Sequence, residues 1–190
     1  MSIPSVSDDS LASIRKAHGV LISVTIVLWF PFGVFLLRLL KVKHTVRWHG
    51  AWQGIGLLMM LVGFGLGRYL AEEIPDRASE AHVLLGMVIA VLFLLMPILG
   101  WLHHKQFVSH GVKSWKSAVH VWGGRALLLL GVVNSFTGLK LSEEGSGPYL
   151  GLGILAGVIL LAYLGTIWWK WRRVEVVEEM EMQAEFGGRK

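Results

Sequence analysis

Four histidines, His18, His49, His82 and His120, each stand where a long apolar run begins. Imidazole changes charge near neutral pH, and its neutral ring offers a nitrogen lone pair to a metal. An ionisable group at the edge of such a run is costly and marks function by default. Two chemistries use a set of this kind: relay of protons along a polar path, and ligation of a metal between helices. Cysteine is absent, which excludes disulfide frameworks, thiolate metal sites, iron–sulfur clusters and covalently attached c-type haem.

The elements that must carry these residues follow from composition. Of 190 residues, 54% are apolar and only 16% charged, with a mean hydropathy of +0.58. A water-soluble domain of ~150 residues buries only about 70% of the surface its unfolded chain exposes, too little to hide so much apolar area. Five stretches reach the roughly 20 residues needed to cross a bilayer core of ~30 Å: residues 18–40, 49–67, 81–102, 120–139 and 149–169. Charges or turn residues bound each one. Pro31 and Pro97 fall inside spans, where membrane helices tolerate proline. The expected fold is therefore an all-α integral membrane protein of five transmembrane helices, the first four forming an antiparallel bundle. The first seventeen residues carry no apolar h-region, so no cleavable signal peptide is read there and the first span is expected to insert itself. Residues 1–16 read as a polar extracytoplasmic segment, 17–171 as the membrane domain and 172–190 as a charged cytoplasmic tail. No internal repeat stands out.

Charge orients the bundle. The loops on the N-terminal side sum to −3 and those on the C-terminal side to +7, with Arg125 inside a span completing the net +5. Positive loops stay in the cytoplasm, so the N-terminus is expected outside and the C-terminus inside. Trp48, Trp52, Trp101, Trp115, Trp122, Trp168, Trp169 and Trp171 all fall near the basic side and read as an interfacial belt.

Because successive spans run antiparallel, the starts of spans one and three share the outer side, and those of two and four the inner. His18 thus faces His82, and His49 faces His120. Two imidazoles facing across a bundle supply two axial nitrogens for a haem iron, one haem near each membrane surface. Gly19, Gly50, Gly54, Gly86, Gly123 and Gly124 lie beside these histidines and leave room for a macrocycle. Arg125, five residues past His120, needs a carboxylate, a propionate, carbonyls or water at that depth, and a place beside the inner haem suits it. Gln53, one turn after His49, falls on the same face. His44 and His110 read as solvated loop residues, and His103 and His104 as interfacial anchors.

The segments Ala17-His18-Gly19-Val20, Trp48-His49-Gly50-Ala51-Trp52-Gln53, Ala81-His82 with Gly86, Leu99 to His104, and His120-Val121-Trp122-Gly123-Gly124-Arg125 resemble the cytochrome b561 family. The likeness covers about residues 17–171 and is nearest to the five-span branch often fused behind an extracellular DOMON domain. It implies two non-covalent b-type haems, His18 with His82 and His49 with His120, and electron transfer from cytosolic ascorbate to an outer acceptor such as monodehydroascorbate or a ferric chelate. It also implies an ascorbate-binding role for basic residues of the first inner loop, loosely matched here by Lys41, Lys43 and Arg47. No DOMON domain precedes the spans in this sequence. The chain is expected to act alone, to take electrons from a separate extracytoplasmic redox partner, or to form part of a longer product.

The expected partners are thus the membrane, a small-molecule donor and acceptor and an outer redox domain or protein, with a homodimer as one assembly; nucleic acid is not among them. The alternative is a quinol-oxidising cytochrome b anchor subunit, whose pocket would need lipid-facing polar residues such as Asn134, Ser135 and Thr137. A transporter or proton-relay bundle is a third reading, and it predicts no haem.

Overall fold

The computed structural model describes residues 7–39, 44–112 and 114–187, with side chains to residue 174. It contains five helices long and apolar enough to cross a membrane. We label them α1 (Asp8–Leu39), α2 (Thr45–Glu73), α3 (Ala81–His110), α4 (Trp115–Leu141) and α5 (Ser146–Gly187). The described residues include no strand.

Local chemistry sets the helix ends. Ser7 caps α1 by accepting the Ser10 N–H at 3.4 Å, and Asp8 and Asp9 in the first turn complement the helix dipole. Helix α3 stops at Gly111, whose φ of 70° is a left-handed C-cap that glycine adopts without strain; its N–H bonds the Phe107 carbonyl at 2.8 Å. A 3₁₀ turn, Arg77–Ser79, links α2 to α3 after Pro75. Helix α5 runs on into the charged tail, so its described part exceeds the apolar span.

Helix α1 is not uniform. Residues Val24–Trp29 form a π-helix, in which the Phe30 N–H bonds the Thr25 carbonyl five residues back. Pro31 follows directly. In α3, by contrast, Pro97 sits within an unbroken α-helix.

Helices α1 and α2 form one hairpin and α3 and α4 the other; α1 also meets α4, and α2 meets α3, which closes a four-helix ring. Midway along it lies a core of Ile26, Val27, Phe30, Met60, Ile89, Ala90, Phe93 and Leu127. Phe30 stacks on Phe93 with centroids 4.8 Å apart. Small residues permit the close approach. A Cβ on Gly56 would lie 2.6 Å from the Phe30 ring, one on Gly63 2.7 Å from Ile22, and one on Gly131 2.8 Å from Ile26. Helix α5 lies outside the ring and buries only Leu152 of its described side chains; Leu150, Ile154, Val158 and Leu161 are exposed, as lipid-facing residues should be.

Of the tryptophans expected in the belt, Trp169 is 40% exposed and most of the others more so. Trp48, Trp101, Trp115, Trp122, Trp168 and Trp171 are each at least 60% exposed, consistent with an interfacial belt. Trp52 departs from that expectation. It stacks on Trp29 at 4.1 Å, and each indole N–H donates to the other residue's carbonyl, at 2.9 and 2.8 Å. It is a seam between α1 and α2.

Candidate functional site

At the N-terminal end of the ring, His18 of α1 and His82 of α3 face each other with ring centroids 6.0 Å apart and planes at 82°. Both rings are held from behind. His18 Nδ1 lies 2.7 Å from the Gly63 carbonyl of α2, and His82 Nδ1 lies 2.9 Å from the Asn134 carbonyl of α4. A carbonyl only accepts, so each Nδ1 carries the proton. In the neutral ring the lone pair is then left on Nε2, the nitrogen free to bind a metal.

Absent side chains make this possible. A Cβ on Gly67 would lie 2.6 Å from His18 Cε1, and one on Gly138 2.7 Å from His82 Cε1. Both histidines line a cavity of about 610 Å³ that also touches Gly86, Met60, Phe64 and Leu155. That volume is in the range of cofactor pockets. Arg15, Lys16, Arg68 and Arg77 also line it; Arg68 pairs with Glu72, and Arg77 with Glu80 at 3.9 Å.

At the opposite end, His49 Nδ1 donates to the Gly33 carbonyl of α1 at 2.8 Å. His120 lies within charge–charge range of His49 and faces the Met96 carbonyl of α3, but its buried Nδ1 makes no well-formed hydrogen bond. A Cβ on Gly100 would approach His120 Cε1 to 3.0 Å. The structure sets His18 and His82 face to face at one end of the ring and places His49 and His120 at the other.

Other candidates fall out differently. Arg125 is half-buried, with its guanidinium 4.4 Å from the Trp122 ring centroid and 5.9 Å from that of Tyr163. Arg38 lies 4.8 Å from the same Tyr163 ring and donates to its hydroxyl at 3.1 Å. Two cations thus converge on one phenol, an arrangement not foreseen from sequence because Tyr163 sits on the distant α5. Gln53 donates to the Phe30 carbonyl at 3.2 Å, while its buried Oε1 is unpaired. Arg47 is exposed in the first turn of α2; Lys41 and Lys43 lie outside the described residues.

His103, read as an anchor, stacks on His120 with centroids 5.7 Å apart. The glycines flagged beside the histidines are mostly not those beneath the rings. Gly19, Gly50, Gly54 and Gly124 face open space, whereas Gly67, Gly100 and Gly138 take the close contacts. The missing signal was position on the neighbouring helix.

Three Arabidopsis thaliana proteins, each named cytochrome b561 and DOMON domain-containing protein, match this sequence. Their identities are 24% over 160 residues, 28% over 156 and 30% over 154, covering 81%, 77% and 79% of the chain. The chain is a cytochrome b561 homologue. It spans 39%, 38% and 38% of the length of these relatives. No family model matches it, and no solved structure does.

Homology to cytochrome b561 proteins implies b-type haem, and the residues present fit it. Each pair offers two imidazoles and nothing more: among the described residues no group of three or more His, Cys, Asp or Glu could hold a bare ion. Such a pair suits a metal that brings its own equatorial ligands, as haem iron does. Two imidazole–metal bonds of about 2 Å each, together with the ring radii, fill the 6.0 Å between His18 and His82. The second pair offers the same donors, with Nδ1 of His49 held by the Gly33 carbonyl and the buried Nδ1 of His120 without a hydrogen-bond partner.

Proposed function

We propose that the chain carries single electrons across a membrane through two b-type haems, one between His18 and His82 and one between His49 and His120. The observation that carries this reading is the set of backbone carbonyls, which commits Nδ1 of three histidines and leaves Nε2 free to ligate. Bound there, haem iron supplies reversible one-electron exchange at a potential tuned by its ligands and surroundings. The protein holds and orients the ligands and keeps water from the space between the pairs with the core of Phe30, Phe93, Met60 and Leu127.

The reductant is proposed to be a cytosolic anion of the ascorbate type, and the acceptor monodehydroascorbate or a ferric chelate outside. Arg38, Arg47 and Arg125 at the His49 end, with the neighbouring basic loops, support an anionic donor. The chain then acts as a transmembrane oxidoreductase with its N-terminus extracytoplasmic and its C-terminus cytoplasmic. An outer redox domain or protein and a homodimer stand as proposals of the same kind. Quinol oxidation has less support. Asn134 and Ser135 are buried, and Thr137 is turned toward Asn134 rather than toward lipid.

The test begins with the purified protein in detergent. Two haems per chain and a reduced-minus-oxidised b-type spectrum are the expected result, and a folded, haem-free preparation from haem-sufficient cells would sink the proposal. Vesicles loaded with ascorbate should then reduce external ferricyanide, and chain-free vesicles should not.

A further inference from the structure

In three of the four ring helices the carbonyl that faces a partner helix's histidine stands at one fixed spacing from that helix's own histidine. His49 stands fourteen residues before Gly63, the carbonyl that holds His18; His120 stands fourteen residues before Asn134, the carbonyl that holds His82. On α3, His82 stands fourteen residues before Met96, the carbonyl facing His120. Fourteen residues are just short of four helical turns, so both groups share a helix face about 21 Å apart along the axis. In each of these three helices a glycine follows the carbonyl residue by four: Gly67, Gly138 and Gly100, the same glycines that lie under His18, His82 and His120.

Helix α1 breaks the count. His18 stands fifteen residues before Gly33, whose carbonyl nonetheless holds His49 at 2.8 Å. In a plain α-helix one extra residue would swing that carbonyl about 100° around the axis. Between the two lies the π-helix Val24–Trp29, and a π-bulge absorbs one additional residue. Proline alone does not explain the bulge, since α3 carries Pro97 without one. The bulge is supported where it forms: Thr25 is fully buried, and its hydroxyl donates to the Leu21 carbonyl at 2.6 Å.

We infer that the ring is two copies of one hairpin unit, in which each helix presents a ligand histidine at one end and, fourteen residues on (fifteen in α1), the carbonyl that faces its hairpin partner's histidine. The π-helix of α1 restores this register across one extra residue. The inference rests on the reading of the four histidines as haem ligands, and it makes Gly33, Gly63, Met96 and Asn134 positioning residues through their backbone. Gly67, Gly100 and Gly138 provide the clearance.

Two matched deletions test it. Leu28 and Leu92 each lie ten residues after a ligand histidine, in α1 and α3, and are 40% and 38% exposed. Deleting Leu28 should convert the bulge to α-helix with a spacing of fourteen, leaving two haems per chain and the wild-type low-spin ferric spectrum. Deleting Leu92 shortens α3 to thirteen and should halve haem content by disturbing the His120 end. A Leu28 deletion that misfolds or loses haem, or a Leu92 deletion that keeps both haems, overturns the inference. Gly67→Ala should lose the His18–His82 haem, whereas Gly65→Ala, which faces open space, should keep both. Equal haem content in those two variants also overturns it. Were the wild type itself haem-free, the functional reading would fall; the register would still be read from circular dichroism melting, with the Leu28 deletion retaining the wild-type midpoint and the Leu92 deletion losing it.

Discussion

A histidine can bind a metal only in a tautomer that exposes a lone pair, and backbone carbonyls leave that lone pair on Nε2 of His18, His49 and His82. Pairing is the first consequence to check. His18→Ala and His82→Ala should remove the same haem, and His49→Ala and His120→Ala the other, each variant retaining one haem per chain by pyridine haemochrome assay. Loss of one common species in all four would contradict two separate sites. Hydrogen bonding behind a ligand raises its basicity and lowers the potential of the metal. Thr137 can donate to the same Asn134 carbonyl that faces His82, at 2.8 Å, or to Asn134 Oδ1 at 2.9 Å, and its oxygen is a longer second partner of His82 Nδ1 at 3.3 Å. The carbonyl at 2.9 Å is the shorter acceptor for His82, and the Thr137 proton competes for it. Thr137→Val should strengthen the histidine's bond and lower the potential of that haem. A change of ~0.6 kcal/mol, typical of such bonds in membranes, corresponds to about 25 mV for a one-electron couple. Redox titration checks the direction; an unchanged or raised potential contradicts it. At this scale the four candidate histidines were legible in sequence because a histidine at the start of an apolar span is rare enough to stand out. Their acceptors were not, because any residue carries a carbonyl. The convergence of Arg38 and Arg125 on Tyr163 was hidden for a related reason: three helices supply it.

The elements were largely legible too, since hydropathy depends on composition that survives any packing arrangement. All five spans appear, each longer than its apolar run, because the helices continue through charged turns such as Arg68–Glu72. The π-helix of α1 left no such signature. It is a register effect that becomes visible only when two helices are compared in space. Trp52 was misplaced in the belt because sequence gives its depth but not its azimuth. Helix α1 is the element on which the ring depends, and α4 approaches it through Gly131. Gly131→Ala would set a Cβ 2.8 Å from Ile26 Cγ2, and overpacking of this kind typically costs 1–3 kcal/mol. Ile26→Ala relieves the clash while opening a cavity of its own. The double variant should be more stable than the sum of the single changes by about 1 kcal/mol, the coupling expected of residues in contact. Unfolding in mixed detergent micelles measures all four corners of the cycle, and strict additivity would mean that the two helices do not meet there.

For the whole molecule, the two ends of the ring differ in charge far more than in architecture. Each end offers two imidazoles and backbone acceptors, yet the N-terminal side sums to −3 and the opposite side to +7. The repeated unit therefore does not by itself distinguish donor side from acceptor side; the loops do. If positive charge holds the +7 face in the cytoplasm, an anionic reductant is drawn to the His49–His120 end, and electrons enter there. The absence of cysteine makes the orientation directly measurable, because any thiol introduced is the sole target of a maleimide. Ser79, in the turn between α2 and α3, and Ser109, near the far end of α3, are both exposed and lie at opposite ends of one helix. In intact cells Ser79→Cys should react with a membrane-impermeant maleimide, and Ser109→Cys should react only after permeabilisation. The reverse pattern would place the +7 face outside and, by the same electrostatic argument, would reverse the side at which an anionic donor is met. Because both substitutions lie in exposed positions away from the histidine pairs, haem content should match the wild type in each, so that labelling reports orientation and not damage.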